Sequence, residues 1–377
     1  MKPSVKIVFA IAACAWTAGG VQADVVIDTV TVGNPGNAGE LSGSGAGGLG
    51  PDRICGAVDY VYNIGKFEIT ARQYTALLNA VAATDTYGLY NPQMWDHARG
   101  CKIERSGSPG NYTYSIAPDW PDRPVNYVCW GDAARFANWL HNGQPTGSQD
   151  LSTTEDGAYY LNGATGNSEL LAIVRAPDAT WVIPSEDEWH KAAYHKNDGV
   201  TGNYWDFPTG TDDYPNNELL WPDPGNNASF YDGGFTIGSP FYRTEAGEFE
   251  NSESRYGTFD QGGNVWEWNE AIVHTSYRGF RGGSFYHTRL FLQANVRDGG
   301  YLPSYEDYTY GFRVAQLPQP IPGDLNGDGC VDQADLGILL SDWGCSGGDC
   351  AGDIDGDSDT DQSDLGILLA HWGEGCP

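Results

Sequence analysis

A chain of 377 residues, 40% hydrophobic and 13% aromatic, holds enough apolar material for two or three buried cores, which excludes a disordered or fibrous protein. Fifty acidic against twenty basic side chains leave a formal charge of -30. A field of that sign repels phosphate backbones and anionic headgroups, so nucleic acid is excluded as a partner.

Residues 1–23 carry Lys2 and Lys6, an apolar run from Val8 to Ala18 and the small-residue stop Val21-Gln22-Ala23, the pattern of a secretory signal. The mature chain is therefore expected to begin near Asp24 and to be secreted or held at the cell surface. A competing reading takes Ile11, Ala12, Ala13 and Cys14 as a lipoprotein box that anchors the chain through Cys14. No later segment is long and apolar enough to be a transmembrane span. Residues 24–56, with Gly33 to Gly50 rich in glycine, asparagine and serine, read as a flexible N-terminal segment.

The folded body is expected from Ala57. VDYVYNIGKFEIT (58–70) alternates in strand fashion, and the next stretch carries Tyr74, Leu77, Leu78 and Val81 at helical spacing. RPVNYVCWGDAARFANWL (123–140) presents Ala133, Phe136, Ala137 and Leu140 as one apolar stripe, with Cys129 at its start as a buried or capping residue. In WVIPSEDEWHKAAYHK (181–196), Ser185 stands three residues before Glu188, the spacing of a capping box, so a strand ends at Ile183 and a helix follows. His190 and His195, five apart on that helix, fall on different faces and are expected to be solvated rather than a metal pair. Cys55 and Cys101 are candidates for a disulfide.

The last part of this body reads GGNVWEWNE (262–270), RGGSF (281–285) and YGFRVA (310–315). With the three earlier segments in the same order, it resembles the formylglycine-generating, sulfatase-modifying factor family over about residues 57–316. The resemblance implies an α+β fold related to C-type lectins, with long irregular loops. It also implies an oxidase that uses two thiols, three and eight residues after the serine of RGGS, to bind Cu(I). Here those positions are His287 and Leu292, so copper is not expected and no catalytic residue is assigned.

The same resemblance implies a structural calcium at Asp260, Glu267 and the carbonyls of Gly263 and Val265, and a second at Asn227 and Ala228. These are oxygen donors suited to a hard cation. Glu267, flanked by Trp266 and Trp268, reads alternatively as a general acid. His287 is either a surface-loop histidine or part of a ligand pocket with Tyr286, Arg289, Gln293 and Arg297. No phosphate loop, nucleophile elbow or HExxH pattern occurs, and Ser284 reads as a turn residue.

LPQPIP (317–322) is a connector, and residues 323–377 hold thirteen acidic side chains and no Lys or Arg. Within them DQADLGILLSDWG (332–344) recurs as DQSDLGILLAHWG (361–373), a duplication with a period of 29 residues. Asp324, Asn326, Asp328, the Cys330 carbonyl, Asp332 and Asp335 fall at positions 1, 3, 5, 7, 9 and 12 of a calcium loop, with Gly329 at the sharp turn. The copy offers Asp353, Asp355, Asp357, the Asp359 carbonyl, Asp361 and Asp364, but puts Ser358 at the turn, which strains it.

Two such loops, each followed by one short apolar helix, resemble a type I dockerin domain, a small α-helical paired EF-hand module that binds cohesin-like partners. The partner-facing positions would be Gln333, Ala334, Gln362 and Ser363. Cys330, Cys345, Cys350 and Cys376 admit three disulfide pairings. The sequence thus points to a secreted calcium-binding recognition protein with a docking tail. The alternatives are a formylglycine-generating oxidoreductase acting on sulfatases and a glycan-binding accessory of extracellular polysaccharide breakdown, with a glycan or peptide as ligand.

Overall fold

The computed structural model describes residues 24–297, 300–319, 321–348 and 350–376; the expected leader, with Cys14, lies outside them. Among the described residues no helix is long and apolar enough to cross a membrane. The elements up to residue 194 are β1 (Thr29–Val32), β2 (Glu40–Ser42), β3 (Arg53–Cys55), β4 (Tyr62–Gly65), α1 (Ala71–Val81), α2 (Gln93–Asp96), β5 (Ile103–Ser106), β6 (Thr113–Ile116), α3 (Trp130–His141), α4 (Asn167–Ala172), β7 (Trp181–Val182) and α5 (Glu186–Tyr194). There follow β8 (Trp266–Val273), β9 (Tyr277–Arg281), β10 (Gly300–Tyr301), β11 (Tyr310–Gly311), β12 (Ala315–Gln316), α6 (Gln333–Ser341) and α7 (Gln362–Ala370).

Two four-stranded sheets organise the larger part, in the orders β1-β4-β12-β7 and β10-β9-β8-β11. The second places Tyr310 beside Trp266 in a parallel pair and Arg281 opposite Glu267 in an antiparallel one, which gathers the three C-terminal motifs at one place. Tyr74 and Leu78 of α1, Phe136 of α3, Ile64, Trp268 and Phe312 meet in one core.

Helix starts follow local chemistry. Thr70 accepts from the Gln73 amide at α1, and Ser185 and Glu188 form the expected reciprocal box at α5. Cys129 is the N-cap of α3, its amide donating to Asp132 at 2.8 Å. This helix is buried from Trp130 to Leu140, wider than the single stripe expected. Its polar members are matched inside: Arg135 pairs with Glu155 at 2.7 Å, and the Asn138 amide donates to the carbonyls of Thr154 and Tyr159.

Three expectations are corrected. Residues 24–56 are part of the folded body: β1 pairs with β4, β2 with β3, and Glu40 reaches His190. Glycine here serves close packing rather than freedom; a Cβ on Gly48 would stand 2.0 Å from the Asn295 carbonyl oxygen. Cys55 and Cys101 are separate buried thiols, not a disulfide, and burial raises both above the usual thiol range.

His190 and His195 are buried, because α5 is enclosed on all sides and both imidazoles pack on Tyr204. His190 Nε2 lies 2.8 Å from Glu40, and burial holds its pKa well below the ordinary value.

The acidic tail has its own small core of Val331, Leu339 and Leu368, flanked by Ile321, Leu325 and Ile354. Disulfides join Cys330 to Cys376 and Cys345 to Cys350. The first spans 46 residues, and closing a loop of that length removes about 4 kcal/mol of unfolded-chain entropy.

Candidate functional site

The start of β8 at Trp266 and Glu267 separates a buried charged centre on one side from an open aromatic pocket on the other. In the centre, both oxygens of Glu267 are taken by Arg313, Nε to Oε2 at 2.5 Å and Nη2 to Oε1 at 2.7 Å, and the Trp189 indole donates at 2.7 Å. Glu267 is therefore neither a free general acid nor a free metal ligand as it stands. Its partners are fully buried, and the pair is a structural clamp between β8 and the segment before β12.

Glu68, which sequence reasoning did not select, lies in the same centre. It accepts from Asn264 Nδ2 at 3.0 Å and from the Val265 amide at 3.2 Å. Burial first, then the charges of Asp260 and Glu267, push the Glu68 carboxyl well above its usual range. Asp260, accepting from the Gly247 amide at 2.6 Å, is raised to about 6, again mainly by burial.

The buried Glu68 and Glu267 and the half-buried Asp260 gather around the Arg313 guanidinium, with Arg243 also acting on Glu68, so carboxylates outnumber the cations here. A cavity of about 10 Å³, the room of one water or bare ion, is bordered by Asn227, Ala228, Ser252, Asp260, Gln261 and Gly262. Asn227 Oδ1 and Asn264 Oδ1 are buried without a hydrogen-bond partner. Asn227 directs its amide nitrogen to Asp223 at 2.6 Å, which fixes which atom is orphaned. Oxygen donors, excess negative charge and unsatisfied carbonyl oxygens fit a hard cation at Asp260 and Asn227. Gly263 and Val265 supply the turn beside it, where a Cβ on Gly263 would stand 2.2 Å from the Ser229 carbonyl oxygen.

The pocket opposite encloses about 440 Å³ and is walled by Trp266, Phe280, Tyr286, His287, Phe291, Tyr301, Tyr305, Tyr308 and Tyr310, with Asp307 and Thr309 at its polar side. The Trp266 indole donates to His287 Nδ1 at 3.2 Å, and Ser284 Oγ lies 2.7 Å from the same nitrogen. An indole N–H only donates, so Nδ1 accepts and the imidazole proton sits on Nε2. Burial lowers the His287 pKa, which keeps the ring neutral at pH 7, and Nε2 has no partner among the described residues. Ser284 is fully buried and accepts from the Tyr286 amide, a turn residue that positions the imidazole.

Of the ligand residues expected from sequence, Tyr286 and His287 line this pocket; three do not. Arg289 packs over Tyr214, its guanidinium 4.4 Å from the ring centroid. Gln293 lies outside the lining, where its carbonyl accepts from the Val296 amide. Arg297 is buried and pairs with Glu186 at 2.8 Å. Leu292 is also fully buried, packed with Phe207, Ala228 and Phe230. One imidazole nitrogen and an inward-facing leucine do not fit Cu(I), which favours two soft ligands.

Glu186 is a hub that sequence reasoning also missed. It takes Arg53, Arg281 and Arg297 at 2.8 to 2.9 Å, tying β3, β9 and the loop after Leu292 to the first turn of α5. Burial alone would raise its pKa, but the three guanidinium groups hold it at about 2. A depressed carboxylate stabilises the fold above its unfolded pKa near 4.5 and loses that contribution as pH falls toward 2. Glu186→Gln is therefore expected to cost about 3 kcal/mol at pH 7 and much less at pH 3, checked by thermal melts across that range.

In the tail, Asp335 and Asp364 are fully buried, and each accepts two loop amides and the amide of its helix N-cap, Asp332 or Asp361. Carboxylate oxygens of Asp353, Asp355 and Asp364, and separately of Asp359, Asp361 and Asp364, lie within 4.8 Å of one another. Asp359 thus brings its carboxylate as well as the expected carbonyl, and its Oδ1 is buried without a partner. Asp324 and Asp328 accept amides of their own loop, as Asp353 and Asp357 do in the copy. Ser358 adopts φ 76° where Gly329 adopts 85°, the strained turn expected.

No curated protein matches the chain. Similar solved structures include Treponema denticola variable protein 1, at 18% identity over 78% of this chain and 95% of that one, with a TM-score of 0.42. CarF is 19% identical over 78% of this chain and 99% of its own, TM-score 0.42. PvdO from Pseudomonas aeruginosa is 18% identical over 78% and 92%, TM-score 0.40. The family model for the sulfatase-modifying factor enzyme 1-like domain matches residues 57–317. That span is most of the chain and contains the clamp, the pocket and Glu186, though not its partner Arg53, and the chain belongs to this family.

Proposed function

We propose that this is a secreted, calcium-stabilised recognition protein: the family domain takes a ligand in its aromatic pocket, and the tail attaches the molecule to a cohesin-like or cell-surface partner. The observation that carries this reading is the Trp266–His287 hydrogen bond, which occupies the place where the family's oxidation needs a thiol and leaves an open, ring-walled cavity behind it. Among the described residues no thiol, Lys or Arg lines that cavity. Residues 1–23 support export, and a dockerin-like tail supports docking beside other extracellular proteins, polysaccharide-degrading ones included.

Calcium would be held by Asp260 and Asn227 in the domain, and in the tail by Asp324, Asn326, Asp328, Asp332 and Asp335 and by Asp353, Asp355, Asp357, Asp361 and Asp364, with the carbonyls of Cys330 and Asp359. Bound calcium supplies positive charge that offsets clustered carboxylates; the chain's own backbone amides already orient Asp335 and Asp364 for it.

The deciding experiment incubates the full chain, with calcium, Cu(I) and oxygen, with a peptide bearing the sulfatase cysteine motif. The expected result is no aldehyde above background; steady conversion of the cysteine to formylglycine would replace this reading with the oxidoreductase one.

A further inference from the structure

We propose that the aromatic pocket selects a methylated ammonium group, held against the faces of Trp266, Tyr286 and Tyr308 with Asp307 as its counter-charge. The inference rests on the pocket being a ligand site and adds the chemical class of the ligand.

The charge inside the pocket decides the class. Asp307 Oδ1 accepts from the Thr309 amide at 3.0 Å and from Thr309 Oγ1 at 2.7 Å, whereas Oδ2 has no partner and the carboxylate no ion pair among the described residues. No Lys or Arg lines the cavity. Burial first and then the Asp307 charge raise the phenols of Tyr308 and Tyr310, with Arg99, outside the lining, acting on Tyr308 in the opposite sense. An anionic ligand, whether a carboxylate, a phosphate or a sulfated sugar, would be repelled by the Asp307 charge at the polar side of the cavity. A neutral sugar leaves it unmatched.

Aromatic faces carry negative potential and attract cations. The chain shows the preference on the same rings, since the Arg99 guanidinium, outside the cavity lining, packs 4.8 Å from the Tyr286 centroid and 5.0 Å from that of Tyr308. Tyr286 and Tyr308 meet edge to face at 88°, so two walls of a corner present π surface. The one oriented side-chain N–H in the pocket, His287 Nε2, is a donor and offers nothing to an ammonium proton. Methyl groups on the nitrogen need no acceptors and keep the charge weakly hydrated, so an alkylated cation is desolvated more readily than a primary one. At 45% exposure Tyr286 stands at the open rim, where a ligand tethered to a larger molecule can enter.

The test titrates the full calcium-loaded chain with choline and tetramethylammonium, followed by calorimetry and tryptophan fluorescence. The controls are the uncharged carbon isostere of choline, in which a tert-butyl group replaces the trimethylammonium, ammonium itself, and neutral monosaccharides. Choline is expected to bind at least about tenfold more tightly than its isostere. Asp307→Asn, which keeps the Oδ1 acceptor for Thr309, should remove that advantage while leaving isostere binding and the melting temperature unchanged. Tyr286→Leu should weaken choline about fivefold.

Equal binding of choline and isostere, or an Asp307→Asn variant that binds choline as the parent does, overturns the proposal. Monosaccharide binding without choline binding also overturns it but leaves the recognition reading standing. Absence of binding by every probe overturns the cation assignment alone, because the recognition reading is judged separately by the aldehyde assay.

Discussion

Replacing Arg313 by alanine should unfold the family domain more readily than any other single change in its centre, at a cost of about 3 to 5 kcal/mol. The guanidinium is fully buried and satisfies both oxygens of Glu267, and it also bonds the carbonyls of Gly65 and Phe259. Its loss strands Glu267 beside Glu68 and Asp260 without its ion-pair partner, and it removes a donor from the carbonyls of Gly65 and Phe259. For a domain of this size the melting temperature should fall by about 10 °C. Glu267→Gln, which keeps acceptor and shape, should cost markedly less. Equal melting of parent and Arg313→Ala, with calcium held constant, would show that the clamp does not hold the two sheets.

Calcium removal is expected to have the second large effect, greatest in the tail. Three buried apolar side chains and two disulfides cannot offset the repulsion among the acidic residues of the two loops, so α6 and α7 should lose hydrogen-exchange protection in chelator. Saturating calcium at a thousandfold above its dissociation constant adds about 4 kcal/mol per site. The disulfides keep the unfolded tail compact, so readdition should restore protection quickly. Because Ser358 forces a positive φ without glycine, the second loop should release its ion first. Unchanged protection over residues 333–341 and 362–370 in chelator would remove calcium from the account of the tail.

What could be read from the sequence was local. The capping pair Ser185 and Glu188, the strand around Ile64 and the helix at Tyr74 each carry their signal within a few residues, and each stands where it was expected. The three C-terminal motifs also lie together, because β8, β9 and β11 are neighbours in one sheet. The pocket was half legible: Tyr286 and His287 were selected beside RGGS, but nothing local joined them to the tyrosines from Tyr301 to Tyr310.

What failed was non-local pairing. Glu68 meets Asn264 across 196 positions, Arg53 meets Glu186 across 133, and Glu40 meets His190 across 150. A charged residue destined for burial has the same appearance in sequence as one on the surface until its partner is known. That is why Arg297 passed for a ligand contact and the two imidazoles of the α5 region passed for solvated groups.

The family match opens at residue 57, but the first sheet does not. β1 hydrogen-bonds along all of β4, from Thr29 opposite Gly65 to Val32 opposite Tyr62. A chain trimmed at the family limit would leave β4 as a bare edge, free to recruit strands from neighbouring molecules. It would also strip the Glu186 hub of Arg53 and His190 of Glu40. For this protein residues 24–56 act as a built-in guard against self-association, and the smallest piece that keeps the first sheet whole begins with them.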